Sequence, residues 1–186
     1  MTDELYTRIV YDGLDAPSIA ALPGMKERSI IVDGFSKTYS MTGWRLGYGI
    51  MPRELADRVG PLLTHSIGSI AHFTQFAGIE ALTDPQDRVE AMVAEYQRRR
   101  DVIVAGLNSL PGFACQKPQG AFYAFPNITG TGLSSDALAN LILEKAGVAL
   151  LPGSSFGQYG EGYLRLSYAN FIENIEKGLE RIRAIL

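Results

Sequence analysis

Lys37 has the strongest claim to covalent chemistry in this chain. It closes the turn Gly34-Phe35-Ser36-Lys37, directly after the β-branched run Ser29-Ile30-Ile31-Val32-Asp33. An amine at the end of a buried strand is partly desolvated, gives up its proton more readily than a surface amine, and can then attack an aldehyde. Most lysines are solvated charges, so Lys37 taken alone reads as one of them. Its neighbours change the weighting. Arg45 stands eight residues on, where its planar fork suits a phosphate, and Ser36 offers a hydroxyl at the same strand end. Ligands of open α/β sheets collect outside these carboxyl ends.

Two further groups invite the same question. Asp3 and Tyr6 lie in Asp3-Glu4-Leu5-Tyr6, which by itself reads as polar surface. Arg165 interrupts the alternating stretch Tyr163-Leu164-Arg165-Leu166-Ser167-Tyr168, and a partly buried guanidinium there requires an anion, from a local acid or from a ligand. His65 and His72 have no third partner at metal-site or triad spacing and read as helix-end residues.

The elements that must position these side chains follow from periodicity. Ser29 to Asp33 predicts a buried strand of a parallel sheet, and Trp44 to Ile50 a second strand stopped by Met51-Pro52. A helix is expected from Pro52 to about Leu63, a Ser/Gly/Thr connector over Thr64 to Ser69, and a helix around Phe73 to Ile79 that Asp84-Pro85 breaks. Arg88 to Leu110 is long and amphipathic, with Pro111-Gly112 as its stop. Beyond it, short strands and helices alternate: a strand over Gly120 to Phe125, a helix over Ser134 to Ala146, strands over Val148 to Leu151 and Tyr163 to Tyr168, and a last helix capped by Asn170. The run Arg98-Arg99-Arg100 reads as a solvated helix face.

With 186 residues, 46% hydrophobic and 20% charged, the composition is that of a globular α/β protein. A net charge of −3 gives no electrostatic reason to bind nucleic-acid phosphates. One cysteine, Cys115, excludes an internal disulfide framework and suits a reducing compartment. No apolar run reaches membrane-spanning length and the polar start lacks the regions of a signal peptide, so the expectation is a cytoplasmic protein without membrane or nucleic-acid partners.

The stretch Ser36-Lys37-Thr38-Tyr39-Ser40-Met41-Thr42-Gly43-Trp44-Arg45-Leu46-Gly47-Tyr48 resembles the cofactor-attachment motif of the class I and II aminotransferases, the aspartate aminotransferase family of fold type I pyridoxal-phosphate enzymes. The resemblance implies that Lys37 holds pyridoxal 5'-phosphate as an internal aldimine and that Ser36 and Arg45 contact its phosphate. Gly34 departs from members that carry a phosphate-binding serine there. Asp3 and Tyr6 match the family residues at the pyridine nitrogen and the phenolic oxygen, and Arg165 matches the arginine that clasps the substrate α-carboxylate. Pro118-Gln119-Gly120-Ala121-Phe122-Tyr123 and Pro152-Gly153-Ser154-Ser155-Phe156-Gly157 resemble small-domain signatures, and Ser66 or Ser69 matches a region near the neighbouring subunit's site.

The implied fold is a partial large domain of the fold type I transferase over 1–107, followed by a small C-terminal α/β domain over 108–186. The implied reaction is amino transfer between an amino acid, with aspartate as the family-weighted donor, and a 2-oxo acid. Because only the C-terminal half is matched, weak or absent turnover by the isolated chain is expected, with a homodimer or a separate N-terminal half as partner. Two other readings accompany this one: a non-catalytic structural or oligomerisation module of the same fold, and the effector half of an aminotransferase-like transcription regulator. The second lacks a helix-turn-helix or a basic recognition face in this sequence.

Overall fold

The computed structural model describes all 186 residues, which divide into two compact units, Met1–Ala91 and Met92–Leu186. In the first, strand β1 (Thr2–Asp3) pairs in parallel with β2 (Ile31–Gly34), and β2 pairs antiparallel with β3 (Gly47–Ile50), giving the order β1-β2-β3. The central place of β2 is thus filled on both sides. Helices α1 (Arg53–Ser66) and α2 (His72–Thr83) follow, and α3 (Asp87–Asn108) starts in this unit and continues into the second.

The second strand is shorter than its hydrophobic pattern suggests. Trp44 donates its backbone N–H to Met41 O, Thr42–Trp44 form a 3-10 turn, and Arg45 takes a left-handed conformation with φ of 54°, so ladder pairing begins only at Gly47. The backbones approach closely at the paired positions Gly34 and Gly47, where a side chain would be tight. A Cβ on Gly34 would stand 3.0 Å from Gly47 Cα and from Leu46 O, and one on Gly47 would stand 3.1 Å from Asp33 O. The helix over Pro52 to Leu63 runs on to Ser66, absorbing part of the expected connector, which then turns at Gly68 with φ of 69°. Gly78 of α2 faces Phe35 and Leu46, so this helix packs on the segments flanking the Lys37 turn.

The second unit holds a three-stranded antiparallel sheet in the order β4 (Tyr123–Ala124), β6 (Leu164–Ser167), β5 (Leu151–Pro152). The outer strands are only two residues long, against the longer stretches that alternation suggested. Ser134 caps α4 (Ser135–Leu141), accepting from the Ala137 N–H at 3.3 Å. The helix then widens into a π-turn over Ile142–Ala146 and stops at left-handed Gly147. In α5 (Ile172–Arg183), Ile175, Leu179 and Ile182 are buried at helical spacing. Asn170 Oδ1 accepts from the Phe171 N–H at 2.8 Å and from Asn174 Nδ2 at 3.0 Å, just ahead of that helix.

The arginine run is not a solvated face. Consecutive helix residues are rotated by about 100°, so three in a row cannot share one side. Arg98 is exposed and bonds Glu95, Arg99 reaches Glu95 from a half-buried position, and Arg100 is fully buried beside Ile103 and Leu107. Its charge is held by Asp101 Oδ1 at 2.9 Å and its Nη1 donates to Pro118 O at 3.1 Å. Cys115 is buried as well; Asn108 bridges its backbone, accepting from the N–H at 2.7 Å and donating to the carbonyl at 3.0 Å.

Candidate functional site

Parallel pairing of β1 and β2 brings the carboxyl ends of both strands to one edge of the first unit's sheet. Asp3 is the last residue of β1, and Ser36 and Lys37 follow the last residue of β2. Because β3 runs the other way with Gly47 opposite Gly34, its leading segment, with Arg45, returns to the same edge. Tyr6 lies in the turn after β1, fixed where Ile9 donates its N–H to Tyr6 O at 2.8 Å. The first unit therefore gathers Asp3, Tyr6, Ser36, Lys37 and Arg45 at one sheet end.

The turn itself is braced from several directions. Phe35 donates its N–H to Leu46 O at 3.2 Å, extending the ladder past Gly34, while Tyr39 and Met41 donate theirs back to Phe35 O. The buried Phe35 ring meets Tyr39 at 5.5 Å and the Tyr48 ring edge-on at 5.9 Å. Ser36 and Lys37 are half-buried. Asp3 is exposed, its carboxylate accepting from the Leu5 N–H at 3.2 Å. Arg45 is also exposed; its Nη1 donates to Thr42 O at 2.9 Å. It borders an open groove of about 610 Å³ that Ser69, Phe73 and Thr74 also line, whereas Lys37 and Ser36 do not. Ser69 and Arg45 thus border one groove.

Sequence reasoning missed a pair beneath the turn. Asp33 and Tyr48 are cross-strand partners, and Tyr48 Oη donates to Asp33 Oδ2 at 2.8 Å while Asp33 Oδ1 accepts from the Gly34 N–H at 2.6 Å. Burial, and then the adjoining carboxylate, push the Tyr48 phenol up to about 12. Alternation puts both residues on strands, but only the register reveals that they meet. In the second unit, desolvation raises the Cys115 thiol above its ordinary range.

Arg165 belongs to the second unit, in its central strand β6, half-buried. Its guanidinium carbon lies 4.7 Å from the Tyr123 ring centre and 4.4 Å from that of Phe156. Its contacts are thus aromatic rings rather than a local acid. His65 sits in the last turn of α1, and His72 opens α2 with its ring against Phe76 at 4.9 Å.

The first unit carries a lysine, an arginine and a carboxylate at one end of a sheet with a parallel strand pair, the second is a small α/β unit with an arginine in its central strand, and the protein is thus of the α/β class. The chain belongs to the aminotransferase class I and II family, which matches residues 1–182. It is 42% identical over 188 residues to an aspartate aminotransferase of Pyrococcus horikoshii and 43% identical over 188 residues to aromatic-amino-acid aminotransferase 2 of Thermococcus litoralis, covering 100% of this chain and 48% of each relative. Among solved structures, the aromatic aminotransferase of Pyrococcus horikoshii superposes with a TM-score of 0.95 at 44% identity, over 99% of this chain and 49% of that one. The aspartate aminotransferase of Rhizobium meliloti gives 0.92 at 37% identity, over 98% and 48%. The chain thus spans about half the length of the relatives it matches, and its fold is a partial large domain of the fold type I transferases followed by their small α/β domain. No helix is long and apolar enough to cross a membrane.

Proposed function

We propose that this chain carries the lysine-bearing part of a pyridoxal 5'-phosphate-dependent aminotransferase, which exchanges an amino group between an amino acid and a 2-oxo acid. The observation that carries the reading is the sheet topology that delivers Asp3, Ser36, Lys37 and Arg45 to one edge. The donor set there fits the cofactor group by group. Lys37 offers an amine for its aldehyde, Arg45 and Ser36 a cation and a hydroxyl for its phosphate, Asp3 a carboxylate for its ring nitrogen, and Tyr6 a phenol for its ring oxygen. Arg45 spends one N–H on Thr42 O and keeps other donors of its fork for an anion.

When bound, pyridoxal phosphate supplies an electron sink for charge developing at the substrate α carbon. Asp3 would maintain that sink by keeping the ring nitrogen protonated. Lys37 would hold the cofactor through its amine and, when free, would take the α-proton at Nζ. Arg165 is the proposed ligand of the substrate α-carboxylate, with aspartate as the amino donor. In this proposal residues 1–107 serve the cofactor and 108–186 form the small domain, the border falling at the last residue of α3.

Association belongs to the same reading, either as a homodimer or with a separate N-terminal half. Phe73, Phe76, Ile79 and Leu82 of α2 are each more than half exposed and are spread over about half of the helix circumference, apolar surface that favours a covering protein partner. The test is absorbance of the chain with added pyridoxal phosphate, repeated on Lys37→Ala and followed by an amino-acid challenge. A visible band that depends on Lys37 is expected, with weak affinity and little turnover by the chain alone. Equal labelling of the wild type and Lys37→Ala would count against the reading.

A further inference from the structure

In the second unit Arg165 is the one site residue proposed above, and its surroundings are unlike those of an ordinary strand arginine. Half-buried guanidinium groups are normally neutralised by a carboxylate. Here the rings come from both sides of β6 instead. Tyr123 stands on β4, which pairs with β6 through Tyr123↔Ser167, and Phe156 ends the 3-10 turn that follows β5, which pairs through Leu151↔Arg165. The two rings are 4.7 and 4.4 Å from the guanidinium carbon, well inside the range of cation–π attraction.

Each ring has aromatic neighbours of its own. Phe156 packs edge-on against Phe125 at 6.2 Å, and Phe125 stacks on Tyr163 at 5.2 Å with 10° between planes. On the other side Tyr123 meets Phe122 at 4.9 Å, and Phe122 meets Tyr96 at 5.3 Å. The turn bearing Phe156 is seated by Gly153, which donates its N–H to Tyr163 O at 2.8 Å and lies so close to Gly160 that a Cβ on either would overlap the other's backbone. Aromatic packing therefore fixes the position of Arg165 from both flanks.

We propose that Tyr123 and Phe156 are positioning residues that hold Arg165 ready for an external carboxylate without neutralising it. An internal carboxylate partner would have to be displaced before any ligand could bind. A ring face attracts the cation but leaves its N–H donors unsatisfied, so the donors stay directed at whatever anion arrives. The ligand class is a carboxylate able to accept two parallel N–H donors. This rests on the reading of Arg165 as a carboxylate ligand, and the experiment separates the two.

The measurement is nuclear magnetic resonance of the Arg165 Nε–Hε group in the full chain, assigned by its loss in Arg165→Lys, with and without propionate. The free wild type is expected to show Hε displaced by the ring currents of Tyr123 and Phe156, and to respond to propionate. Phe156→Leu, which keeps apolar bulk but removes the ring, is expected to reduce that displacement and to weaken propionate binding by roughly three- to tenfold. Phe156→Tyr is expected to restore both. Equal propionate affinity in wild type and Phe156→Leu, despite a changed ring-current shift, overturns the positioning role alone. No propionate response in a wild type with the displaced resonance overturns the carboxylate reading, and the proposal with it. In an active assembly the Leu variant should raise KM for the amino acid and spare kcat, a split that loss of folded protein would not produce.

Discussion

Replacing Tyr48 with phenylalanine removes one hydroxyl and leaves the ring that packs on Phe35, so it isolates the bond to Asp33. The neutral phenol donates to the carboxylate at 2.8 Å; a phenolate would face it as a second negative charge. Burial, and then that carboxylate, hold the folded-state pKa at about 12, above the unfolded value of 10.0, so the associated stability is complete below pH 10 and lost as pH climbs toward 12. Two pH units correspond to a ceiling of about 2.7 kcal/mol. Tyr48 is 40% exposed, so solvent screening reduces the expected contribution to roughly 1 kcal/mol. Trp44, the sole tryptophan, lies in the same unit and reports its unfolding by fluorescence. Urea titrations of wild type and Tyr48→Phe should differ by roughly 1 kcal/mol at pH 8, with the gap narrowing as pH rises above 10. Coincident curves at pH 8, or a gap that stays constant through pH 11, would refute the reasoning.

Arg45→Gly should relieve a left-handed backbone at φ of 54° and stabilise the first unit by about 1 kcal/mol in the same titration, while weakening capture of pyridoxal phosphate by about tenfold. A loss of both stability and affinity would instead make Arg45 structural. Arg100→Ala removes a fully buried cation together with its bonds to Asp101 and Pro118, and should cost about 3 kcal/mol in urea unfolding followed by circular dichroism. Gly153→Ala would drive a methyl group into the Gly160 backbone and should cost about 2 kcal/mol or more by the same measurement, with the Arg165 Hε resonance shifted by displacement of Phe156.

What the sequence revealed of this molecule depended on how local the controlling interactions were. The helices from Arg53, His72, Asp87 and Ile172 were legible because apolar spacing and the prolines and glycines at their ends are local signals. Strand lengths were not. The alternation from Trp44 to Ile50 continues through a 3-10 turn and a left-handed arginine, and alternation carries no information about backbone handedness. Arg100 was misjudged because three like charges suggest solvent, although helical rotation turns the third one inward. At the candidate site, Lys37, Arg45 and Asp3 were found through a motif, but that they share an edge follows from one parallel and one antiparallel pairing that no residue type dictates. The Asp33–Tyr48 pair and the rings around Arg165 stayed hidden for a related reason: each forms between strands whose register is set by the whole sheet.

Cys115 has a consequence of a different kind. A single thiol, buried and pushed toward its protonated form, reacts with an alkylating reagent far faster once its surroundings have opened. It stands in the second unit, and Trp44 stands in the first. The unmodified chain thus contains its own two clocks: an optical one for one unit and a chemical one for the other. Comparing alkylation rates with fluorescence decay across denaturant concentrations would tell whether the two units open together or in sequence, with no residue replaced.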